Sequence, residues 1–398
     1  MDNWKEYFLY EFLKEKKEKN IEKKYTEKDV LSVSKENGVV NQIELLGRSF
    51  AGKSLDKYKV VQSGNIIYTK SPVKDNPFGI IKACQNNSGI VSTLYAVYEC
   101  DEKIAIPQYL DYYFSINSNL NNYLMVIVDK GAKNTMNISN SKFLEGKITL
   151  PPINQQKKII KYLGQIDRII KGISYNLENN IELKEKLYKK ILRIGTKKEE
   201  AVKTKIGNVN KNWEILKASQ IFENVNIKNK EKETVLAVTQ DKGIIERDKC
   251  GINMQYSNDN LNNYKYVQEH NYVISLRSFQ GGIEYSSISG IVSPAYTIIS
   301  NIKPINYDYY KHYFKSKAFI ADLSYIVEGI RDGKQINYKK FSDIDIVYPP
   351  MEEQNNISKI LNKITIKIDL LEKKKQEYIN LKTCLMQKLL TGKVITNV

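Results

Sequence analysis

Two stretches of the chain place apolar residues at alternating spacings of four and three. In one the series is Ile159, Leu163, Ile166, Ile170, Ile173 and Leu177, resuming at Leu187 and Ile191. In the other it is Ile357, Leu361, Ile364, Ile368 and Leu371, resuming at Tyr378, Leu385 and Leu389. Lys and Glu flank both series, so each predicts a long amphipathic helix with a heptad seam. The seam positions carried furthest are Leu163, Ile170, Leu177 and Lys184 in the first and Leu361, Ile368, Lys382 and Leu389 in the second. Lys184 and Lys382 break the two seams at matching places, where a polar residue can fix register. A Pro-Pro step, Pro151-Pro152 and Pro349-Pro350, precedes each helix. Neither proline needs to donate a backbone N–H there.

Ahead of each helix the pattern changes to short β-like runs: Asn65 to Tyr68, Ile90 to Tyr98, Tyr272 to Ser275 and Ala295 to Ile299. Gly, Asn, Asp and Pro separate them, and helical stretches at Tyr109 to Tyr123 and Tyr307 to Leu323 intervene. This alternation predicts α+β domains. The abundant tyrosines suit half-buried strands, so most are read as packing.

The same words occur twice. Val30-Leu31-Ser32-Val33 to Gly38-Val39-Val40 returns as Val235-Leu236-Ala237-Val238 to Gly243-Ile244-Ile245. Gly89-Ile90-Val91-Ser92 returns as Gly290-Ile291-Val292-Ser293, and Pro151-Pro152 followed by Gln156 as Pro349-Pro350 followed by Gln354. So long a period means two homologous units, each a domain followed by a helix, not a short-repeat solenoid. Two similar seams in one chain most simply pack on each other, and the order domain, helix, domain, helix makes them antiparallel with a head at each end. A helix of about 40 residues is about 60 Å long, enough to hold the heads more than one DNA turn apart. The stretch Arg193 to Asn212, rich in Lys, Gly and Asn, reads as the linker back to the second head.

Charge points to a polyanion. The chain of 398 residues carries +17, of which +11 falls in residues 1–198 and +6 in the remainder, so both heads are basic. Cys84, Cys100, Cys250 and Cys384 form no C-x-x-C pair and read as thiols in a reducing cytoplasm. The first twenty residues, crowded with Lys and Glu, do not read as a signal peptide, and no run approaches a membrane span.

Catalytic motifs fail on context. Gly47 to Ser54 satisfies the phosphate-loop pattern G-x-x-x-x-G-K-[ST], but no apolar strand precedes it, and Leu55 to Val61 reads as loop into strand. The equivalent stretch, Asn253 to Asn260, keeps neither Gly nor Lys. Asp75-Asn76-Pro77-Phe78 lacks the second proline of the amine-binding loop of amino-methyltransferases. With only His270 and His312 in the chain, a histidine triad or multi-His metal centre is not predicted.

Polar loops at matching places remain. Lys70, Ser71, Lys74 and Asn76 follow a β-like run in the first head, as Arg277, Ser278 and Gln280 do in the second. Nearer the end of each domain stand Lys133, Asn134 and Asn137, matched by Arg331, Lys334, Gln335 and Asn337. These are side-chain types that read base edges and hold phosphates. Their recurrence with different letters fits two heads reading different sequences.

The tandem Pro-Pro-x-x-x-Gln entries into heptad helices, Gly290 to Tyr296 (Gly-Ile-Val-Ser-Pro-Ala-Tyr) and Gly329 to Lys334 (Gly-Ile-Arg-Asp-Gly-Lys) closely resemble the specificity (S) subunit of type I restriction–modification systems. The resemblance covers essentially the whole chain. It departs from the usual wording at Gly131 to Asn137 and at Pro151 to Gln155, where Pro-Leu-x-x-Glu-Gln is common. It implies two pseudo-symmetric target-recognition domains, residues 1–150 and 213–348. Spacer helices 151–196 and 349–392 would form an antiparallel coiled coil, with residues 197–212 as linker. It further implies a non-catalytic cytoplasmic subunit with no cofactor of its own, reading an asymmetric bipartite site on double-stranded DNA. Two methyltransferase (M) subunits and restriction/translocase (R) subunits would dock on it and carry S-adenosylmethionine, ATP and Mg. Two other readings are a self-contained ATPase or methyltransferase, tested by ATP or methyl-donor binding, and a stand-alone two-headed DNA-binding or regulatory protein, tested by co-purification with a methyltransferase.

Overall fold

In the computed structural model, which describes residues 3–52, 54–71, 75–85, 88–130, 136–197, 199–240, 242–250, 258–327 and 336–392, the sequence repeat becomes a repeat of strand pairings. The first head has an antiparallel sheet in the order Leu13–Glu15, Tyr95–Cys100, Ile66–Thr69, Ile80–Ala83. The second has Phe222–Val225, Thr297–Asn301, Tyr272–Ile274, Glu284–Tyr285 in the same order. A hairpin, Leu31–Ser34 with Gly38–Asn41, recurs as Leu236–Thr239 with Gly243–Glu246. Gly38 and Gly243 hold φ at +72° and +70°, a conformation that an L side chain resists, so the recurring glycine is a requirement of the turn. Each head closes when a strand near its start pairs with the strand before Pro-Pro: Lys5–Phe8 with Lys147–Leu150, and Glu214–Lys217 with Asp345–Tyr348.

The helical stretch expected at 109–123 is two helices, Pro107–Ser115 and Asn117–Ile127, because Ile116 takes an extended ψ of 114°. In the second head Tyr307–Phe314 and Lys317–Val327 are likewise separate. Tyrosines fill both cores. Tyr68 and Tyr98 each stack on Phe143 at 4.8 Å between ring centroids, and their hydroxyls donate to Phe78 O (2.7 Å) and Asn140 O (3.2 Å). In the second head Tyr272, Tyr309 and Tyr310 donate to Tyr307 O, Leu192 O and Val347 O. Burial raises the pKa of all five phenols, so they stay neutral donors that satisfy backbone carbonyls inside the core.

The long helices are Ile153–Ile194 and Met351–Leu389. Gly195 ends the first in the left-handed region at φ +96°, and its N–H donates to Ile191 O. Packing divides the chain partway along each helix, into residues 1–173 with 374–398 and residues 174–373. In the first unit Ile159 and Leu163 share a core with Met386, Leu389 and Leu390; in the second Ile191 and Leu192 share one with Ile357 and Leu361. The start of one helix meets the end of the other in both cases, so the pairing is antiparallel. Of the seam residues, Leu163, Leu361, Ile368 and Leu389 are buried, while Ile170, Leu177, Lys184 and Lys382 are partly exposed. Lys382 pairs with Asp167 of the opposite helix at 2.6 Å. Lys184 lies over the Tyr188 ring, and burial lowers its pKa against the pull of Asp369.

The stretch expected as a linker carries a hairpin of its own, Ala201–Thr204 with Gly207–Asn210. Val209 is buried in the second core, and Asn210 Nδ2 donates to Ile194 O at 2.9 Å. Gly and Asn there serve a tight turn that docks.

At the Pro-Pro step a buried glutamine ties each head to its helix. Gln156 is buried; its Oε1 accepts from Ile106 N (2.9 Å) while its Nε2 donates to Ile104 O and Pro151 O (both 2.9 Å). Gln354 repeats this: Oε1 accepts from Asn306 N (2.8 Å) and Nε2 donates to Pro349 O (2.9 Å). The Pro-Pro-x-x-x-Gln motif is therefore a latch. Gln156→Ala or Gln354→Ala strands a buried N–H and one or more carbonyls, and each should cost about 2–4 kcal/mol in urea unfolding. A loss under about 1 kcal/mol would refute the latch.

His312 gives the second unit a pH signature. Asn362 Nδ2 donates to Asp308, which turns Asn362 Oδ1 toward His312 Nε2 at 2.8 Å and leaves Nδ1 to accept from Tyr188 Oη at 2.8 Å. Burial, aided by the Lys184 and Lys311 charges, lowers the imidazole from 6.5 to about 4. The fold holds it neutral while an unfolded chain takes up a proton below 6.5. Its contribution is therefore complete above pH 6.5 and declines as pH falls toward 4, by on the order of 3 kcal/mol. Unfolding of wild type and His312→Gln at pH 7 and pH 5 should show the variant losing less stability on acidification.

Candidate nucleic-acid interface

The two loops expected to read bases occupy the same place in each head, immediately after the central strand of the sheet. Lys70 and Ser71 follow Ile66–Thr69, and Arg277 follows Tyr272–Ile274. Each loop returns tightly: a Cβ on Gly79 would sit 1.9 Å from Thr69 O, and one on Gly282 would sit 2.2 Å from Phe314 O. Bulk there would push the returning strand away.

Within these loops the side chains divide. Arg277 and Gln280 are exposed at the ends of the helical turn Ser278–Gly281, and Ser71 is exposed too, with Lys70 partly so. Two carbonyls tie the turn down, Arg277 O to Gln240 Nε2 (3.0 Å) and Phe279 O to Ser324 Oγ (2.6 Å). Lys315 Nζ donates to Gly281 O at 3.0 Å and pairs with the buried Glu284. Arg277 and Gln280 are thus presented from a braced platform. Ser278 and Asn76 correct the expectation. Ser278 is buried, with Oγ accepting from Ser275 N (2.8 Å). Asn76 is fully buried, its Nδ2 reaching Asn117 and Asn121 Oδ1 (both 3.3 Å). Both side chains hold their loops from inside the fold. Asn337, though exposed, caps the helix Tyr338–Ser342 by accepting from Lys340 N at 3.1 Å. Asn137 lies in the short strand Met136–Asn137. Lys74, Lys133, Asn134, Arg331, Lys334 and Gln335 lie outside the described residues.

Each head also carries a groove, which in the second reaches the loop at Arg277. In the second head it encloses about 700 Å³ between the hairpin and the central strand, lined by Gln240, Lys242, Arg247, Arg277 and Tyr296 among others. In the first head a larger one, about 930 Å³, runs between the hairpin and the first long helix, past Lys35, Lys161, Arg168 and Lys171. The last three were not singled out from the sequence. They recur off the apolar seam on a helix whose seam is plain, and that was the available signal.

The phosphate-loop pattern has no phosphate-loop geometry. Gly47 (φ +75°) ends the short helix Gln42–Leu46, Gly52 N donates to Tyr58 Oη (3.0 Å), and the chain runs on into the strand Lys59–Val61. Lys53 lies outside the described residues. Among the described residues no group of His, Cys, Asp or Glu is placed to hold a metal, and no helix is long and apolar enough to cross a membrane.

Residues 1–183 match the family model described as the type I restriction modification DNA specificity domain. The putative type I restriction enzyme MjaX specificity subunit of Methanocaldococcus jannaschii is 28% identical over 284 residues, 67% of this chain and 64% of that protein. The match thus spans just under two thirds of that relative. The type I restriction enzyme MjaVIII specificity subunit of the same organism is 25% identical over 326 residues, 77% of this chain and 74% of that one. In fold, the crystal structure of a type I restriction-modification system S subunit from M. genitalium superposes with a TM-score of 0.57 at 13% identity, covering 97% of this chain and 96% of that one. The first 183 residues thus match the type I specificity-domain model, and over two thirds or more of its length the chain is similar to type I restriction enzyme specificity subunits.

Proposed function

We propose that this chain is the DNA-reading subunit of a type I restriction–modification complex, each head reading one half of an asymmetric bipartite site and the helices fixing the unread gap. The observation that carries the reading is a contrast: two heads share their strand pairings and their latch, yet the loops after the equivalent central strands carry different residues. A duplicated scaffold with divergent exposed loops is what two unlike half-sites require. The chain itself performs no chemistry in this proposal. Methyltransferase subunits docked on the helices, and restriction subunits beyond them, supply S-adenosylmethionine, ATP and Mg in the cytoplasm.

Arg277→Ala or Gln280→Ala should weaken or relax recognition at one half-site only, by about 1–3 kcal/mol if the contact is bidentate. The readout is the adenine-methylation motif of a host carrying each variant, read by single-molecule sequencing. Equal relaxation of both half-sites would refute independent heads.

The helices, of 42 and 39 residues, are tested as a ruler by matched insertions of about seven residues near Leu177 and Lys375. Seven residues add about 10 Å at 1.5 Å each while keeping the heptad in phase. That equals roughly three base pairs at about 3.4 Å, so methylation across a library of gap lengths should shift to a gap a few pairs wider with both half-sites unchanged. An unchanged gap in a stable double-insertion protein would remove the ruler.

A further inference from the structure

The groove of the first head has one wall that the sheet does not supply. Lys161, Arg168 and Lys171 stand on the first long helix, facing the hairpin residues Lys35, Asn37 and Gly38 across it. The three helix cations are exposed. Three carboxylates line the groove: Glu36 sits on the hairpin, 3.4 Å from Ser34 Oγ, and the two nearest the helix are engaged elsewhere. Asp167, one turn before Lys171, is held by Lys382 (2.6 Å) and by the Tyr112 hydroxyl (2.7 Å). Asp111 is half enclosed, accepts from Ala83 N (3.1 Å) and lies 3.8 Å from Lys82. Among the described residues no ion pair is formed by Lys161, Arg168 or Lys171. Gly164, between them, leaves the groove floor without a side chain; its Cβ would lie 3.9 Å from Tyr112 Oη.

The usual fate of a charged helix face is solvation, with opposite charges at i+3 or i+4. This face differs, since Arg168 and Lys171 are like charges three apart and Asp167, the acid on the same stretch of helix, is already held by Lys382 and Tyr112. Ten residues from Lys161 to Lys171 span about 15 Å of helix axis, roughly the rise of four base pairs at about 3.4 Å. A concave strip of that length with unpaired cations on one wall fits a ridge of phosphates.

The second unit does not repeat it. At the 198-residue offset that relates the two Pro-Pro-x-x-x-Gln motifs, Lys161, Arg168 and Lys171 correspond to Lys359, Ile366 and Asp369. Ile366 is 57% exposed. Two of the three cations are gone.

Resting on the DNA-reading function proposed above, we infer that the first-head groove is a track for the sugar–phosphate backbone of duplex DNA, with Lys161, Arg168 and Lys171 as its phosphate contacts, and that the second head has no counterpart. The track gives affinity and orientation without sequence information. Each phosphate neutralised contributes about 0.9 to the slope of log K against log salt on B-form DNA.

The test titrates the full chain with a duplex carrying the host's methylated motif, and with a scrambled duplex of equal length, over a salt series. The triple variant Lys161→Gln/Arg168→Gln/Lys171→Gln should lower the salt slope by about 2–3 on both duplexes, with the ratio of the two affinities unchanged. Arg168→Gln alone should lower it by about 0.9, and the charge-keeping Lys161→Arg/Arg168→Lys/Lys171→Arg should retain the wild-type slope, which separates charge from folding. An unchanged slope with intact motif binding overturns the track and leaves the DNA-reading function standing. An unchanged slope with lost co-purification of a methyltransferase also overturns it, making the groove a protein-docking surface. A wild-type chain with no salt-dependent DNA binding overturns both.

Discussion

Each head is tied to the start of its helix by a buried amide. A glutamine side chain offers one acceptor and two donors in a plane, and at Gln156 and Gln354 these face backbone groups of the segment entering the head's helix pair and of the Pro-Pro step. The prolines bring no N–H of their own, so their carbonyls are open to the amide. The direction in which the helix leaves the head is thereby fixed by hydrogen bonds rather than by apolar contact alone, which would tolerate sliding. The same constraint acts at both long helices.

Around this shared device the two heads have diverged by compensated exchanges. Lys82 on the edge strand of the first sheet contacts Ser115 Oγ (2.8 Å) and lies near Asp111. At the equivalent strand position the second head has Glu284, braced by Lys315, which occupies the place of Ser115. The charge on the strand has changed sign and the helix has changed with it. Tyr112, hydrogen-bonded to Asp167, is replaced by His312 between Tyr188 and Asn362. A buried charge deprived of its partner costs several kcal/mol, so such positions change in pairs or not at all. Meanwhile the exposed side chains of loop residues such as Arg277 and Gln280 bear no such constraint and are open to change singly.

The sequence made legible whatever repeats with a period. The heptads located both long helices, the recurring words located hairpins and central strands, and Pro-Pro-x-x-x-Gln marked the latch. It did not reveal features set by contacts between distant segments. Asn76 looked like a loop-tip reader, yet its amide lies between Asn117 and Asn121, more than 40 residues on. Ser278 looked exposed by composition but begins a helical turn. The hairpin at residues 201–210 was hidden because Lys, Gly and Asn suit a linker as well as a turn, and Val209 alone announced burial. The helix cations of the first groove were legible in spacing but acquire meaning only opposite the hairpin.

The core of the first head includes Met386, Leu389 and Leu390, from the far end of the second long helix, whereas the second unit draws only on residues 174–373. On the ribosome the order of completion is therefore the reverse of the order of synthesis. The second unit has all its parts once residue 373 has emerged. The first, although its strands appear earliest, keeps an open apolar face until the last helical turns are made. Premature termination within those turns would spare the later head and cripple the earlier one, so half-finished chains could not hold a complete first head.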